Sequence, residues 1–289
     1  MKLHFYISCF LVFLCASLLN QCKKNQDLSY IEYYQEVNKI DSLYRITNDP
    51  KDIIKSYKKL FQKFPPKNQN HIQELETYIR LSDQQQVDFG GKTILYRLIE
   101  QNTPFIDENL FPLFRKYGID STEVRKRIME MKNNIDKKLL DSLTLASKRD
   151  HEGNRTDPII MKRNDSKNLN LFLWIFDNYG FPSEQKVGTS GNDGEPLAII
   201  TILSHLICLD YDKIYPKLNE YLKKGEISPQ MYAIIIDKYY LCKNNKTYYN
   251  LWESVSSEDS LEINRRRKAI GLPSLMHYSN IKKSFNNRK

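Results

Sequence analysis

The residues best able to do chemistry are polar side chains inside apolar helical segments. His205 stands in the run LAIITILSHLICL, Asp237 and Lys238 follow AIII, and the segment RDHEGNR places Asp150 close to Arg155. Burying such groups is costly unless they are paired, so we expect them to contact each other. His205 would then act as an acid or base, oriented by Asp150 or Asp237. Arg155 and Lys238 would hold an anionic substrate, as in a hydrolase or a small-ligand pocket.

The same residues also have a structural interpretation, in which they form a hydrogen-bonded network that fixes the register of the helices. A lone histidine on an apolar helix face most often behaves in this way. Asp237 and Lys238 are adjacent, so on a helix they point about 100 degrees apart and need not share one pocket. We expect the structural role for this set, with the catalytic role as the alternative.

Complete catalytic and metal-binding motifs are absent from the sequence. Arg155 stands where the zinc motif H-E-x-x-H has its second histidine, and there is no Gly-x-Ser-x-Gly elbow and no Cys-x-x-Cys pair. Gly188, Gly191 and Gly194 lie in a polar segment with neither a Walker pattern nor a preceding strand. They are interpreted as a mobile connection instead of a phosphate site. We predict no metal and no cofactor.

The N-terminus carries an apolar run from Phe5 to Leu19 without a charged side chain, followed by Cys22 and then by charge. A membrane-spanning helix needs about 20 apolar residues, whereas the core of a signal peptide needs about 7 to 15. Leu19 lies three residues before Cys22, as in a bacterial lipobox, although Asn20 and Gln21 replace the usual small residues. We expect cleavage before Cys22 and acylation of its thiol. An uncleaved anchor and a fully released protein are the alternatives.

The cysteines that remain in the mature chain are Cys208 and Cys242, because Cys9 and Cys15 leave with the leader and Cys22 is acylated. Both lie in apolar segments. An exported protein can form a disulfide, but a free cysteine packs as a small hydrophobic residue. We expect buried free thiols, with a disulfide as the alternative.

The net charge of +9 is concentrated near the C-terminus. No acidic residue follows Glu262, whereas eight basic residues do. Such a segment can attract nucleic acid or anionic lipid. Nucleic acid is not an expected partner of an exported protein, so the basic residues are interpreted as a solvated helix face.

Helical spacing of apolar residues is found along the chain. In DPKDIIKSYKKLFQKFPP, Asp49 is predicted to cap a helix, Pro50 to take its first position, and Pro65 to end it. Such helices joined by short breaks predict antiparallel hairpins that resemble degenerate tetratricopeptide packing, without a strict 34-residue period. An irregular helical layer is the alternative.

Two further helices are predicted in the middle of the chain. One long helix should run from about Ser121 to His151, with its buried stripe including Val124. After a loop, a second helix should start at Ser166 and stop at Gly180.

The second half carries a series of short segments in a characteristic order. These are GFPS (residues 180–183), VG (187–188), the histidine at 205, KKGEISPQMYAIIIDK (223–238) and NRRRKAIGLPSLMHY (264–278). From about Leu143 to Tyr278 the chain resembles the DUF6624 family of bacterial proteins. Arg155 matches the family's arginine, but the preceding Asp-Gln pair reads Asp150-His151 or His151-Glu152, and TYYN replaces Tyr-Gly-Thr at 247–250. The family has no known function, so the resemblance implies only that the arginine cluster belongs to a C-terminal helix and turn.

Together these observations predict an all-α, lipid-anchored protein of the cell envelope, on the periplasmic or surface side. The expected divisions are a signal peptide (1–21), a tether (22–29), a helical-hairpin region (30–142) and a DUF6624-like domain (143–289). The expected function is that of a helical binding or interaction protein, and the alternative is an uncharacterised, hydrolase-like enzyme. Its expected partners are membrane lipid, through acylated Cys22, and an envelope protein.

Overall fold

The computed structural model describes residues 29–286 of the chain, apart from residues 48, 70, 104–105 and 253–258. The predicted signal peptide, Cys22 and nearly all of the tether lie outside the described residues. Within the described part, the chain forms fourteen α-helices and no β-strand, with one isolated bridge between Ser190 and Pro196. The prediction of an all-α fold is confirmed. No helix among these residues has both the length and the apolar character needed to span a bilayer.

Six helices precede residue 134 and eight follow it. The first six are α1 (Tyr30–Thr47), α2 (Pro50–Lys63), α3 (Glu74–Gln84), α4 (Gly91–Asn102), α5 (Phe111–Lys116) and α6 (Ser121–Asn133). The others are α7 (Lys137–His151), α8 (Pro158–Tyr179), α9 (Glu184–Val187), α10 (Ile199–Leu209), α11 (Tyr211–Lys224), α12 (Pro229–Asn244), α13 (Ser260–Ala269) and α14 (Leu275–Asn286). Two short 3-10 turns lie at Glu108–Leu110 and Glu152–Arg155.

The limits of α2 follow the sequence signals. The backbone N–H of Lys51 donates to Asp49 Oδ1 at 2.9 Å, and Pro50 occupies the first turn. The helix ends at Lys63, just before the two prolines. A capping carboxylate and a proline at the first position both favour a helix start, and the prediction for this helix is confirmed.

The predicted long helix from Ser121 to His151 is wrong, because the chain breaks between Asn133 and Lys137. Asp136 accepts a hydrogen bond from the backbone N–H of Leu139 at 2.8 Å. Its side chain therefore caps a new helix instead of continuing the old one.

The predicted start of α8 at Ser166 is also wrong. Asp157 accepts from the backbone N–H of Ile159 at 2.8 Å, and Pro158 stands at the first helical position. Ser166 lies inside the helix and donates to the carbonyl of Lys162. The Asp-Pro pair is the stronger start signal, since it combines a side-chain cap with a preset φ.

The N-terminal helices pack on one another in chain order, α1 on α2 and α2 on α3, and α1 also contacts α11. The C-terminal helix α14 is fixed to α1 by a buried pair, in which His277 Nε2 lies 2.7 Å from Asp41 Oδ2. One hydrophobic core runs through both halves of the chain. The tetratricopeptide-like arrangement of the first half stays a prediction.

Helices α10 and α12 lie side by side and are joined by a disulfide between Cys208 and Cys242, with their Cα atoms 6.2 Å apart. The expectation of buried free thiols is therefore wrong. Cys242 lies on the exposed side of α12, and Cys208 is half-buried. The sequence predicts that each cysteine lies on an apolar helix. It does not predict that these two helices pack side by side and bring the sulfur atoms together.

The interpretation of the C-terminal arginines as a solvated face is wrong for Arg267. This side chain is fully buried and donates to the carbonyls of Tyr249 and Pro273 at 2.8 and 2.7 Å. Burial lowers the pKa of its guanidinium to about 10. Arg265, two residues earlier, is exposed and pairs with Glu262.

Candidate functional site

Three of the five residues singled out in the sequence meet at the junction of α7, α8 and α10. Arg155 Nη1 donates to Asp150 Oδ1 at 2.6 Å, and His205 Nδ1 lies 2.9 Å from the same oxygen. The Asp150 side chain is only 2% exposed, whereas Arg155 and His205 are 21% and 24% exposed. The predicted pairing of these three residues is confirmed.

A tight turn places Arg155 between the helices. Gly153, Asn154 and Arg155 all have positive φ, at 63°, 52° and 56°. Glycine and asparagine adopt this left-handed region readily, whereas arginine does so at a cost of order 1 kcal/mol. The carboxylates that Arg155 bonds hold it in this conformation.

Asp165 completes this group and was not singled out in the sequence. Arg155 Nη1 and Nη2 donate to its two carboxylate oxygens at 2.9 and 2.8 Å. Its signal was its position, because Asp165 and Asn168 share one face of α8 with the buried Phe172. We refer to Asp150, Arg155, Asp165 and His205 as the polar cluster.

Two amides next to the polar cluster connect the same helices. Asn164 donates to the carbonyl of Arg149 at 2.9 Å, and Asn168 donates to the carbonyl of Ala146 at 3.0 Å. Both asparagines lie on α8, and both carbonyls belong to the last turns of α7. These two hydrogen bonds join α8 to the C-terminal part of α7 and fix the register of the two helices.

The charges of the polar cluster largely neutralise one another. Burial acts to raise the pKa of Asp150, but the hydrogen bond and charge of His205, with the charge of Arg155, hold it below its ordinary value. The hydrogen bond with Asp165 raises the pKa of Arg155 against the effect of burial. The guanidinium is thus shared by two carboxylates, and it is not free to hold the phosphate or carboxylate of a substrate.

Asp237 and Lys238 do not join the polar cluster. Asp237 is fully buried and accepts from the backbone N–H groups of Tyr248, Tyr249 and Leu251 at 2.6 to 2.9 Å. Burial raises its pKa, and these hydrogen bonds offset part of that shift. Asp237 therefore holds the loop after α12. Lys238 is half-buried beside it, and no described hydrogen bond or ion pair joins its side chain to His205.

The arrangement of Asp150 and His205 corresponds to part of a catalytic triad. A buried carboxylate orients the imidazole and leaves Nε2 for proton transfer. Among the described residues, however, no hydroxyl or thiol is hydrogen-bonded to Nε2 of His205. Nor does the described part of the chain contain a group of three histidine, cysteine or acidic residues placed to hold a metal ion.

A cavity of about 790 Å³ lies between the two halves of the molecule. Its walls come from the loop after α2, from α4, from the segments around α9 and the start of α10, from the first turns of α12, and from the chain around α14. Asp150, Arg155 and His205 do not line it. Thr201 does, and His205 follows four residues later on α10, so the polar cluster lies about one helical turn away.

The cavity wall contains a buried polar atom without a partner. Gln101 Oε1 has no hydrogen-bond partner among the described residues, and Gln101 Nε2 donates to the carbonyl of Pro66. Unpaired buried polar atoms are rare in folded proteins. This part of the wall can therefore accept a hydrogen bond from a ligand.

No family model, no curated protein and no solved structure matches the chain. The resemblance of the second half to DUF6624 stays a prediction.

Proposed function

We propose that the mature protein is a lipid-anchored binding protein of the cell envelope, attached through acylated Cys22, with its ligand site in the cavity between the two halves. The observation that carries this proposal is the cavity itself. Its volume of about 790 Å³ falls within the roughly 300 to 1,000 Å³ of sites for small molecules. Its lining combines apolar side chains with a similar number of polar and charged ones, and such polar groups fix the orientation of a ligand.

The cavity can be tested by filling it. Ile234 lines the cavity and is only half-buried, so a tryptophan at this position extends into the space. Ile159 is 80% exposed and does not line the cavity, so Ile159→Trp is the matched control. We expect an organic extract of the purified wild type and of Ile159→Trp to contain the same small molecule by mass spectrometry. Its retention in Ile234→Trp, or its absence from wild type, would contradict the proposal.

The anchor has its own test. Mass analysis of the mature N-terminus should find a diacylated Cys22, and Cys22→Ser should abolish both the acyl mass and recovery in the membrane fraction. Two buried acyl chains suffice for stable attachment to a bilayer. A mature chain that begins after Ser17 without an acyl group would refute the anchor.

A hydrolase remains the second candidate, favoured by one observation. Asp150 orients His205, and about a quarter of the histidine side chain is exposed. Two observations support a structural role for the polar cluster. Arg155 is bonded to two carboxylates, and Asp237 lies apart from the cluster and binds backbone N–H groups. If the protein is a hydrolase, His205→Gln would abolish hydrolysis of its substrate, while the variant would still fold and would still co-purify with the ligand of the cavity.

A further inference from the structure

Two cations line the same side of the cavity. Lys67 lies in the loop after α2, and Arg97 lies on α4. Lys67 Nζ stands 4.6 Å from the centre of the Tyr30 ring. Burial raises the pKa of Tyr30, and the charge of the Arg97 guanidinium lowers it. A hydrogen bond between Asn68 and Asn102 also holds this loop against α4.

Neither cation forms an ion pair within the described part of the chain. No described carboxylate lies within 4.0 Å of Lys67 Nζ or of the Arg97 guanidinium. Burial lowers the pKa of Lys67, and the Glu226 carboxylate offsets only part of this effect. A half-buried ammonium without a carboxylate partner is costly. An anionic ligand group would remove this cost.

Three acidic residues also line the cavity, namely Glu100, Glu184 and Glu226. Glu100 lies 3.9 Å from Arg127, which does not line the cavity. Glu226 accepts from the backbone N–H of Phe181 at 3.3 Å. Glu226 is the carboxylate that opposes an incoming anion most directly, because its charge already acts on Lys67.

The C-terminal half supplies an apolar wall. Ile199 and Ile200 from α10, and Met231 and Ile234 from α12, line the cavity. The cations therefore come from the N-terminal half, and much of the apolar surface comes from the helices of the other half. Such a division suits a ligand with one charged end and one apolar end.

Tyr30, the first residue of α1, lies beside this site. The Tyr30 hydroxyl donates to the carbonyl of Pro65 at 3.2 Å, and its ring lies against Gly225; both Pro65 and Gly225 line the cavity. Cys22 precedes Tyr30 by eight residues, which span at most about 28 Å when extended. An anchor at Cys22 would thus keep the cavity within reach of lipid-derived molecules.

We propose that the cavity binds an amphipathic carboxylic acid, with its carboxylate at Lys67 and Arg97 and its apolar chain along Met231 and Ile234. This inference rests on the proposed function, because it names the class of ligand for the same cavity.

Calorimetric titration with three probes of equal chain length tests the ligand class. The acylated full chain is placed in phosphatidylcholine nanodiscs, with empty nanodiscs as the blank, and titrated with octanoate, octan-1-ol and octylammonium. We expect octanoate to bind at least about tenfold more tightly than octan-1-ol. A hydrogen bond between charged groups contributes enough free energy to change the dissociation constant by about this factor. Equal affinities, or a preference for octylammonium, would overturn the inference.

Charge variants test the residues. Lys67→Gln with Arg97→Gln should remove the preference for octanoate, whereas Glu226→Gln should strengthen it. The matched control combines Lys59→Gln with Arg125→Gln, two exposed cations outside the cavity, and should leave all affinities unchanged. A preference that survives the loss of Lys67 and Arg97 would refute the assignment.

Ile234→Trp separates the two possible failures. If this variant weakens binding of octan-1-ol and octanoate equally, and wild type does not prefer octanoate, the cavity is a binding site but its ligand is not an acid. If Ile234→Trp changes no affinity, or no probe binds to wild type, both the cavity function and the ligand class are refuted.

Discussion

Replacing Arg155 by methionine tests whether the polar cluster is a structural network. Methionine keeps the length of an unbranched side chain and removes the guanidinium. The change deletes three charge-assisted hydrogen bonds, one to Asp150 and two to Asp165. It leaves two carboxylates that are only 2% and 9% exposed, and only Asp150 keeps His205 as a partner.

The expected loss of stability follows from this burial. Breaking a buried ion pair by removing one partner costs about 3 to 5 kcal/mol. Water reaches about a fifth of the Arg155 side chain, which reduces the estimate to about 2 to 4 kcal/mol. Adding Asp165→Asn to the variant should restore at least about 1 kcal/mol, because it removes the carboxylate charge that Arg155→Met leaves without its ion-pair partner.

Urea unfolding followed by circular dichroism at 222 nm measures this loss as a change in midpoint at constant slope. Arg163→Met is the matched control. This substitution breaks the ion pair between Arg163 on α8 and Glu152, which follows α7. Both side chains are about half exposed, so the loss should cost only about 0 to 1 kcal/mol. If Arg155→Met lies within about 0.5 kcal/mol of this control, the cluster does not stabilise the helix junction by burial.

Three further perturbations test other parts of the fold. Replacing Cys208 and Cys242 by serine opens a loop with a sequence separation of 34 residues and should cost about 3 to 4 kcal/mol in urea unfolding; a loss below about 1 kcal/mol would show that the thiols are reduced in the purified protein. Burial raises the pKa of Glu74 above its ordinary value of 4.5, against opposing hydrogen bonds, so the folded state holds more protons and stability should fall as pH rises from about 4.5 through the folded pKa. Glu74→Gln should flatten this part of the pH profile, and an unchanged profile would assign the slope to other groups. Gly225→Ala should destabilise the fold by about 1 to 3 kcal/mol, because φ is +68° and a Cβ would lie 2.5 Å from the Tyr30 ring. Gly194 also has a positive φ but faces open space, so Gly194→Ala should cost clearly less. Equal losses would mean that the Tyr30 contact contributes nothing.

The sequence predicted local features better than long-range ones. The cap at Asp49 with Pro50 is local, and its helix starts where these residues predict. The same kind of signal at Asp136 and at Asp157 was outweighed by the apolar periodicity on either side, so one helix was predicted where there are two and another was started too late. A capping aspartate decides a helix boundary even within a continuous apolar stripe.

The polar cluster could be predicted in part. Unpaired burial is costly, so Asp150, Arg155 and His205 were expected to meet, and they do. Asp237 fits the same argument, but its burial is compensated by backbone N–H groups from the next loop. Side-chain polarity alone does not distinguish a carboxylate that binds an arginine from one that binds main-chain donors.

The cavity could not be predicted, because its walls come from segments far apart in the sequence. Lys67 and Ile234 line the same space although 167 residues separate them. Their proximity depends on the packing of one half of the chain against the other. The disulfide between Cys208 and Cys242 was missed for the same reason.

A crystal structure of the protein grown with octanoate would decide whether the cavity or the polar cluster is the functional site. We expect ligand density inside the cavity, with the carboxylate at Lys67 and Arg97 and the chain along Ile234. Density for the ligand at His205 instead, or an unchanged cavity at saturating octanoate, would contradict this expectation.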